Sequence, residues 1–161
     1  LAGEPPRNGQ LLRLGADGSA EVLTEEIIWP NGIGVTPDGR TNYVSDYAQK
    51  VVRAVTTDDR SVHELCRSPN GSVDGLALDC EGGVWVALGE GGGVARFHAD
   101  GRLDELISLP ASFVSSLCFG GADMCDVLIS TADSHAQPEL GGTLLRARSE
   151  IAGLPVAPAA V

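Results

Sequence analysis

Asn31, Asp74 and Ser115 stand 43 and 41 residues apart, each just ahead of or at the start of an apolar, strand-like run. Together they offer an amide oxygen, a carboxylate and a hydroxyl, the hard oxygen donors that Ca²⁺ or Mg²⁺ takes. A carboxylate beside bound water can also accept its proton. The same residue types have a plainer use, because Asn and Asp before Gly are common turn residues. Spacing alone therefore leaves metal binding and turn capping both open. Other reactive groups fit less well. His63, His98 and His135 share no register with the series, and His98 falls in a turn that reads as surface. Ser115 and Ser116 lack a His and an Asp placed as a nucleophile's triad requires. The glycine-rich stretch 89–93 invites a phosphate-loop reading. It joins two strands instead of opening a helix, so it is read as a flexible connection.

The elements that would position these residues follow from an internal repeat. Four apolar segments, 11–14, 51–54, 94–97 and 144–147, each carry arginine in third place: Arg13, Arg53, Arg96 and Arg146. A second series, beginning at Gly32, Gly75 and Ser116, runs into a turn and a further apolar strand. Asp38-Gly39, Gly82-Gly83 and Asp100-Gly101 are hairpin chemistry, since such pairs accept positive φ. The unit is four antiparallel strands in about 40–45 residues, the blade of an all-β propeller. The expected blades are strands at 11–24, then 32–66, 75–108 and 116–156, about three and a half in all. The stretch from Leu154 to Val161 is a candidate fourth strand of the last. In a propeller the first strand of each blade lines the central channel. Asn31, Asp74 and Ser115 would then converge at one mouth of that channel. Trp85 and Trp29 both read as packing between blades, with Trp29 the nearer to the mouth because it precedes Asn31 by two residues. A six-bladed ring needs about 250 residues. The 161 residues here therefore read as the C-terminal part of something longer, or as one half of an assembly.

Composition narrows the partners. Eleven basic residues against 22 acidic ones give a net charge of −11, with Lys50 the single lysine. No basic face can be assembled to follow phosphates, so nucleic acid is excluded as a partner, and an anionic membrane would repel the chain. No segment approaches the ~18 apolar residues of a membrane span, and the expected place is the cytoplasm. The chain opens on Leu1, which leaves any targeting segment unread. Cys66, Cys80, Cys118 and Cys125 form no CxxC pair, which argues against a zinc knuckle. They are read as reduced, mostly buried thiols, with a Cys118–Cys125 pairing across one hairpin left open.

Four ordered stretches carry a resemblance. They are Pro30, Asn31 and Gly32 running on to Pro37, Asp38 and Gly39; Asp74, Gly75 and Leu76 followed by Val84 and Trp85; Cys118 to Asp123; and Gly142 to Leu145 with Gly153, Leu154 and Pro155. The chain resembles the senescence marker protein/gluconolactonase/luciferin-regenerating enzyme family over nearly its whole length. Two departures stand out: Asn42 where an apolar strand residue is usual, and Ser72-Val73 where a proline is common before the aspartate. The resemblance implies a six-bladed propeller that hydrolyses a sugar lactone or related ester. It also implies one divalent ion at the channel mouth, Ca²⁺ first, with Zn²⁺, Mg²⁺ or Mn²⁺ as alternatives. Asn31 and Asp74 match two of its ligands, and Asp74 is also the matching general base. Ser115 and Trp29 are the remaining candidates at the mouth, facing substrate. The implied glutamate ligand has no counterpart in this chain. The expected partners are a small lactone and either an upstream half of the ring or a second copy. The alternative is a propeller or half-propeller that binds without catalysing, with Asn31 and Asp74 as relics.

Overall fold

The computed structural model describes residues 8–132 and 142–156. Thirteen strands run in order: β1 (Gly9–Leu14), β2 (Ala20–Ile27), β3 (Pro30–Val35), β4 (Thr41–Asp46), β5 (Val51–Thr56), β6 (Val62–Arg67), β7 (Leu76–Leu78), β8 (Val84–Ala87), β9 (Gly93–Phe97), β10 (Leu103–Ser108), β11 (Val114–Gly120), β12 (Asp126–Thr131) and β13 (Leu144–Arg148). They form four antiparallel sheets in chain order: β1-β2, β3-β4-β5-β6, β7-β8-β9-β10 and β11-β12-β13. Within each sheet neighbours in sequence are neighbours in space, which is the meander expected of hairpin turns. The first strands β3, β7 and β11 pack side by side, so the sheets fan out from one axis. This is the architecture of a propeller segment.

Burial shows where the ring is tight. The sheet β7 to β10 is covered on both faces, so every residue of β8 and β9 is buried. A strand covered on both faces must be apolar without alternation, and Val84, Trp85, Val86 and Ala87 meet that demand. The last sheet is covered on one face. Along β12 buried residues alternate, with Val127, Ile129 and Thr131 turned inward. The two end sheets accordingly leave Leu12, Leu14 and Leu144 exposed. Asn42, out of place in an apolar strand, gives its amide to the Val55 carbonyl at 3.3 Å and to Thr57 Oγ1 at 3.1 Å.

Several expectations need correction. Residues 152–154 add no fourth strand beside β13. They turn back, Gly153 bridging Asp79, with Cys80 N–H donating to the Ala152 carbonyl at 2.9 Å and Leu154 N–H to Leu78 at 2.8 Å. Residues 157–161 and His135 lie outside the described residues. The thiols are not mostly buried: Cys66 is, whereas Cys80 and Cys118 are exposed and all four are free. Cys118 pairs across the hairpin with Leu128, not Cys125, which removes the geometry for that disulfide. The arginines do not share one setting. Arg13 and Arg146 are exposed, whereas Arg96 is 3% exposed because β9 lies in the doubly covered sheet. Its Nε donates to Asp79 Oδ2 at 2.8 Å and its Nη1 to Asp104 Oδ2 at 2.5 Å. Trp85 donates its indole N–H to the same Asp79 oxygen at 2.8 Å. Burial alone would raise the Asp79 carboxyl, but these donors and the Gly83 N–H outweigh it and hold it below 3.8.

Candidate functional site

Backbone hydrogen bonds between sheets set the three axial positions. Gly32 N–H donates to the Asp74 carbonyl at 3.1 Å, and Gly75 N–H donates to the Ser115 carbonyl at 2.9 Å. Each sheet is thus locked to the next at the residue that the repeat singles out. The glycines are a packing requirement. A Cβ on Gly32 would lie 2.5 Å from Leu76 N, and one on Gly75 would lie 2.7 Å from Ser116 Cα. Asp74 is tied on its other side too, its N–H donating to the Ala87 carbonyl at 2.9 Å. Ligand positions built this way are held by sheet backbone, not by loops.

Asp74 is 8% exposed, and the Asn31 side chain lies near enough to act on its carboxyl. Burial pushes the Asp74 carboxyl above 3.8, the Asn31 side chain opposes this, and the negative charge of Glu90 adds to the rise. Among the described ion pairs Asp74 has no cationic partner. Ser115 is drawn the other way. Its Oγ donates to the Ser130 carbonyl at 3.1 Å and lies 2.9 Å from Ser130 Oγ, so its hydroxyl is engaged with β12. Trp29 is 60% exposed and packs no blade. Its ring lies 5.1 Å from that of Tyr47. Trp85 does pack between sheets, edge-on to Phe119 at 5.5 Å.

Sequence reasoning missed Glu90. It lies in the glycine-rich loop 89–93, which is not a flexible tether. Gly89 exchanges backbone hydrogen bonds with Val114 at 2.9 and 3.0 Å, and Asn70 Nδ2 holds the Gly91 carbonyl at 3.2 Å. Glu90 accepts from the Ser72 hydroxyl and sits 3.3 Å from Lys50 Nζ. Burial would raise its carboxyl, but those partners bring it below 4.5. Ser72 is therefore one of the residues that hold the loop, with Asn70 and Val114. No single stretch of sequence carries this signal, since Lys50, Ser72 and Glu90 meet only when two sheets are side by side.

The fit to a divalent ion rests on that donor set. A buried carboxylate without a cation, beside a second carboxylate's field, is a costly arrangement that a positive charge would offset. The donors are oxygens, as a hard cation wants. Among the described residues no three His, Cys, Asp or Glu side chains group as a metal cage. A groove of about 390 Å³ lies elsewhere, on the outer side between the last two sheets, lined by Trp85, Arg96, Ile107, Ile129 and Arg148. It is remote from the axial residues.

The sheets and their axial hydrogen bonds define a β-propeller segment, with Asn31, Asp74 and Ser115 at equivalent positions of successive sheets. Residues 2–133 match the SMP-30/Gluconolactonase/LRE-like region, and the chain belongs to that family. It is similar to the 6-deoxy-6-sulfogluconolactonase of Pseudomonas putida, 29% identical over 90% of this chain and 54% of that one. It is similar to the regucalcin of Danio rerio, 31% identical over 90% of this chain and 54% of that one. In three dimensions it matches a calcium-binding protein, regucalcin, from Agrobacterium tumefaciens, with a TM-score of 0.81 at 24% identity over 93% of this chain and 55% of that one. The chain spans about half the length of the curated relatives that it matches.

Proposed function

We propose that this chain contributes half of the active site of a metal-dependent lactonase that opens a sugar lactone. One observation carries the reading: Asp74 is buried beside Asn31 and Glu90, raised above 3.8, with no cation among its described partners. A divalent ion held by Asn31 and Asp74, Ca²⁺ first, would polarise the lactone carbonyl and acidify water. Asp74 is the base. Its carboxylate takes a proton from the water whose oxygen adds to the carbonyl carbon. The ring C–O bond then breaks, the ring oxygen receives that proton, and the hydroxy acid ionises with release of one proton to solvent. Asn31 orients the Asp74 carboxylate, on which its side chain acts. Ca²⁺ takes 6–8 oxygens, so further ligands have to come from a neighbouring half of the ring or a second copy. The relatives named for lactonase activity support the reaction class.

The test is proton release on opening of glucono-1,5-lactone by the assembled propeller, with the uncatalysed rate subtracted. Asp74→Asn keeps an oxygen but removes the base, and kcat should fall by ~10²–10⁴. Asn31→Ala removes a ligand and should be partly rescued by raising the metal concentration. Near-normal turnover by Asp74→Asn at saturating metal removes Asp74 from the base role. A propeller that opens no lactone with any metal moves the reading to a binding module, which the incomplete metal cage favours.

A further inference from the structure

An exposed tryptophan, Trp29, packed against the half-buried ring of Tyr47, stands two residues ahead of Asn31 in the chain, and the lactonase reading leaves it unused. Trp29 is 60% exposed, whereas the chain's other tryptophan, Trp85, is 4% exposed. Trp29 and Tyr47 lie 5.1 Å apart between centroids, tilted by 48°. The backbone beneath them is pinned. Asp46, fully buried at the end of β4, accepts the backbone N–H groups of Ile28 at 3.2 Å and of Trp29 and Gln49 at 3.3 Å. Tyr47 N–H donates to the Trp29 carbonyl at 3.0 Å. A buried carboxylate spent on three amides holds this corner in one conformation, so the rings are presented by a rigid base. Trp29 lies in the bend that leads into β3 and precedes Asn31 by two residues.

We propose that Trp29 and Tyr47 are a platform for a second sugar ring, so that the substrate class is a glycosylated aldonolactone, a lactone carrying one further neutral sugar. The inference rests on the lactonase reading of Asn31 and Asp74. The apolar C–H face of a pyranose matches an aromatic face, and its hydroxyl edge matches a polar rim. Gln49 and Lys50, both exposed, supply such a rim on the turn that carries Tyr47. The net charge of −11 suits a neutral sugar better than a polyanionic one.

The probes are gluconate and cellobionate, the stable open acids with one and two rings. Emission from exposed Trp29 is quenched by acrylamide, whereas buried Trp85 is shielded, so protection reports the platform without turnover. Cellobionate should protect Trp29 and bind about tenfold tighter than gluconate, the gain expected from one aromatic face. Calorimetry on Trp29→Ala should show that preference collapsing, and Trp29→Phe should keep most of it. In the assembled propeller, Trp29→Ala should lower the ratio of kcat/KM for cellobiono-1,5-lactone over glucono-1,5-lactone about tenfold. Equal or absent protection by the two acids, with glucono-lactone turnover intact, overturns the platform and leaves the lactonase reading standing. Protection by cellobionate in a propeller that opens no lactone overturns the lactonase reading and leaves the platform. Protection by unrelated protein but by neither acid assigns the rings to a protein contact and overturns the inference.

Discussion

Gly75→Ala tests whether the axial site depends on how closely the sheets approach. The new Cβ would lie 2.2 Å from Ser116 Oγ, 2.6 Å from Ser116 Cβ and 2.7 Å from Ser116 Cα. The hydroxyl can rotate away, but Cβ and Cα cannot. Ordinary contact begins at 3.4 Å, so β7 and β11 must part by about 0.8 Å, an overpacking strain of about 1–3 kcal/mol. The Gly75 N–H to Ser115 bond, now 2.9 Å, would lengthen to about 3.7 Å and cease to be a hydrogen bond. Its loss adds about 1 kcal/mol. The sum, about 2–4 kcal/mol, should lower Tm by about 4–16 °C for a chain of this size. Urea denaturation with Ser116→Gly as the second arm of a cycle isolates the cause. That change removes the two nearest atoms, so the pair should couple by at least about 0.5 kcal/mol. A Gly75→Ala variant within about 0.5 kcal/mol of the parent, or two changes that simply add, refutes the argument.

Three other outcomes are expected. Arg96→Met strands the Asp79 carboxylate, whose side chain is 0% exposed, and should cost about 3–5 kcal/mol at neutral pH. The folded Asp79 carboxyl lies below 3.8, so its stabilisation is present above 3.8 and is lost as pH falls through that lower value. The gap between Arg96→Met and the parent should therefore narrow in acid, as read by denaturation at each pH. Asp74 has the opposite sign: its folded carboxyl is raised, so it destabilises near neutrality and Asp74→Asn should be the more stable protein there. Thiol titration at pH 8 should find Cys80 and Cys118 fast. Cys66, which burial pushes up to about 12, should react only after unfolding.

Much of the fold is written at one period, and residues that obey that period could be read. Asn31 and Asp74 were legible because each precedes a glycine and a strand at matching offsets. What sequence could not convey is which copy of a repeated pattern lies in the interior. Four strands carry arginine in the same place, yet Arg96 alone of Arg13, Arg96 and Arg146 is buried, because its sheet is covered on both faces. The same limit hid Glu90. Its role depends on Lys50 and Ser72, 40 and 18 residues away, and a flat string does not say which loops become neighbours. Ser115 kept its register but not its orientation, since the hydroxyl found Ser130 on the adjoining strand.

The hydrogen bonds from Gly32 to Asp74 and from Gly75 to Ser115 turn sequence position into angle. Moving on by one repeat rotates the chain by one sheet about the axis and arrives at an equivalent slot. The backbone fixes the slot, so the side chain placed in it can change without disturbing register. Ser116 shows the rule from the other side. It follows an axial residue as Gly32 and Gly75 do, yet it is exposed and keeps a side chain, because β7, which closes on it, presents the bare Gly75, and no described strand of a following sheet closes on it from the other side. A mouth of this kind can acquire or lose a ligand by one substitution at 31, 74 or 115, while the glycine that follows must stay wherever another sheet abuts. New specificity in such a ring is a matter of choosing the slot, and the framework tolerates the choice.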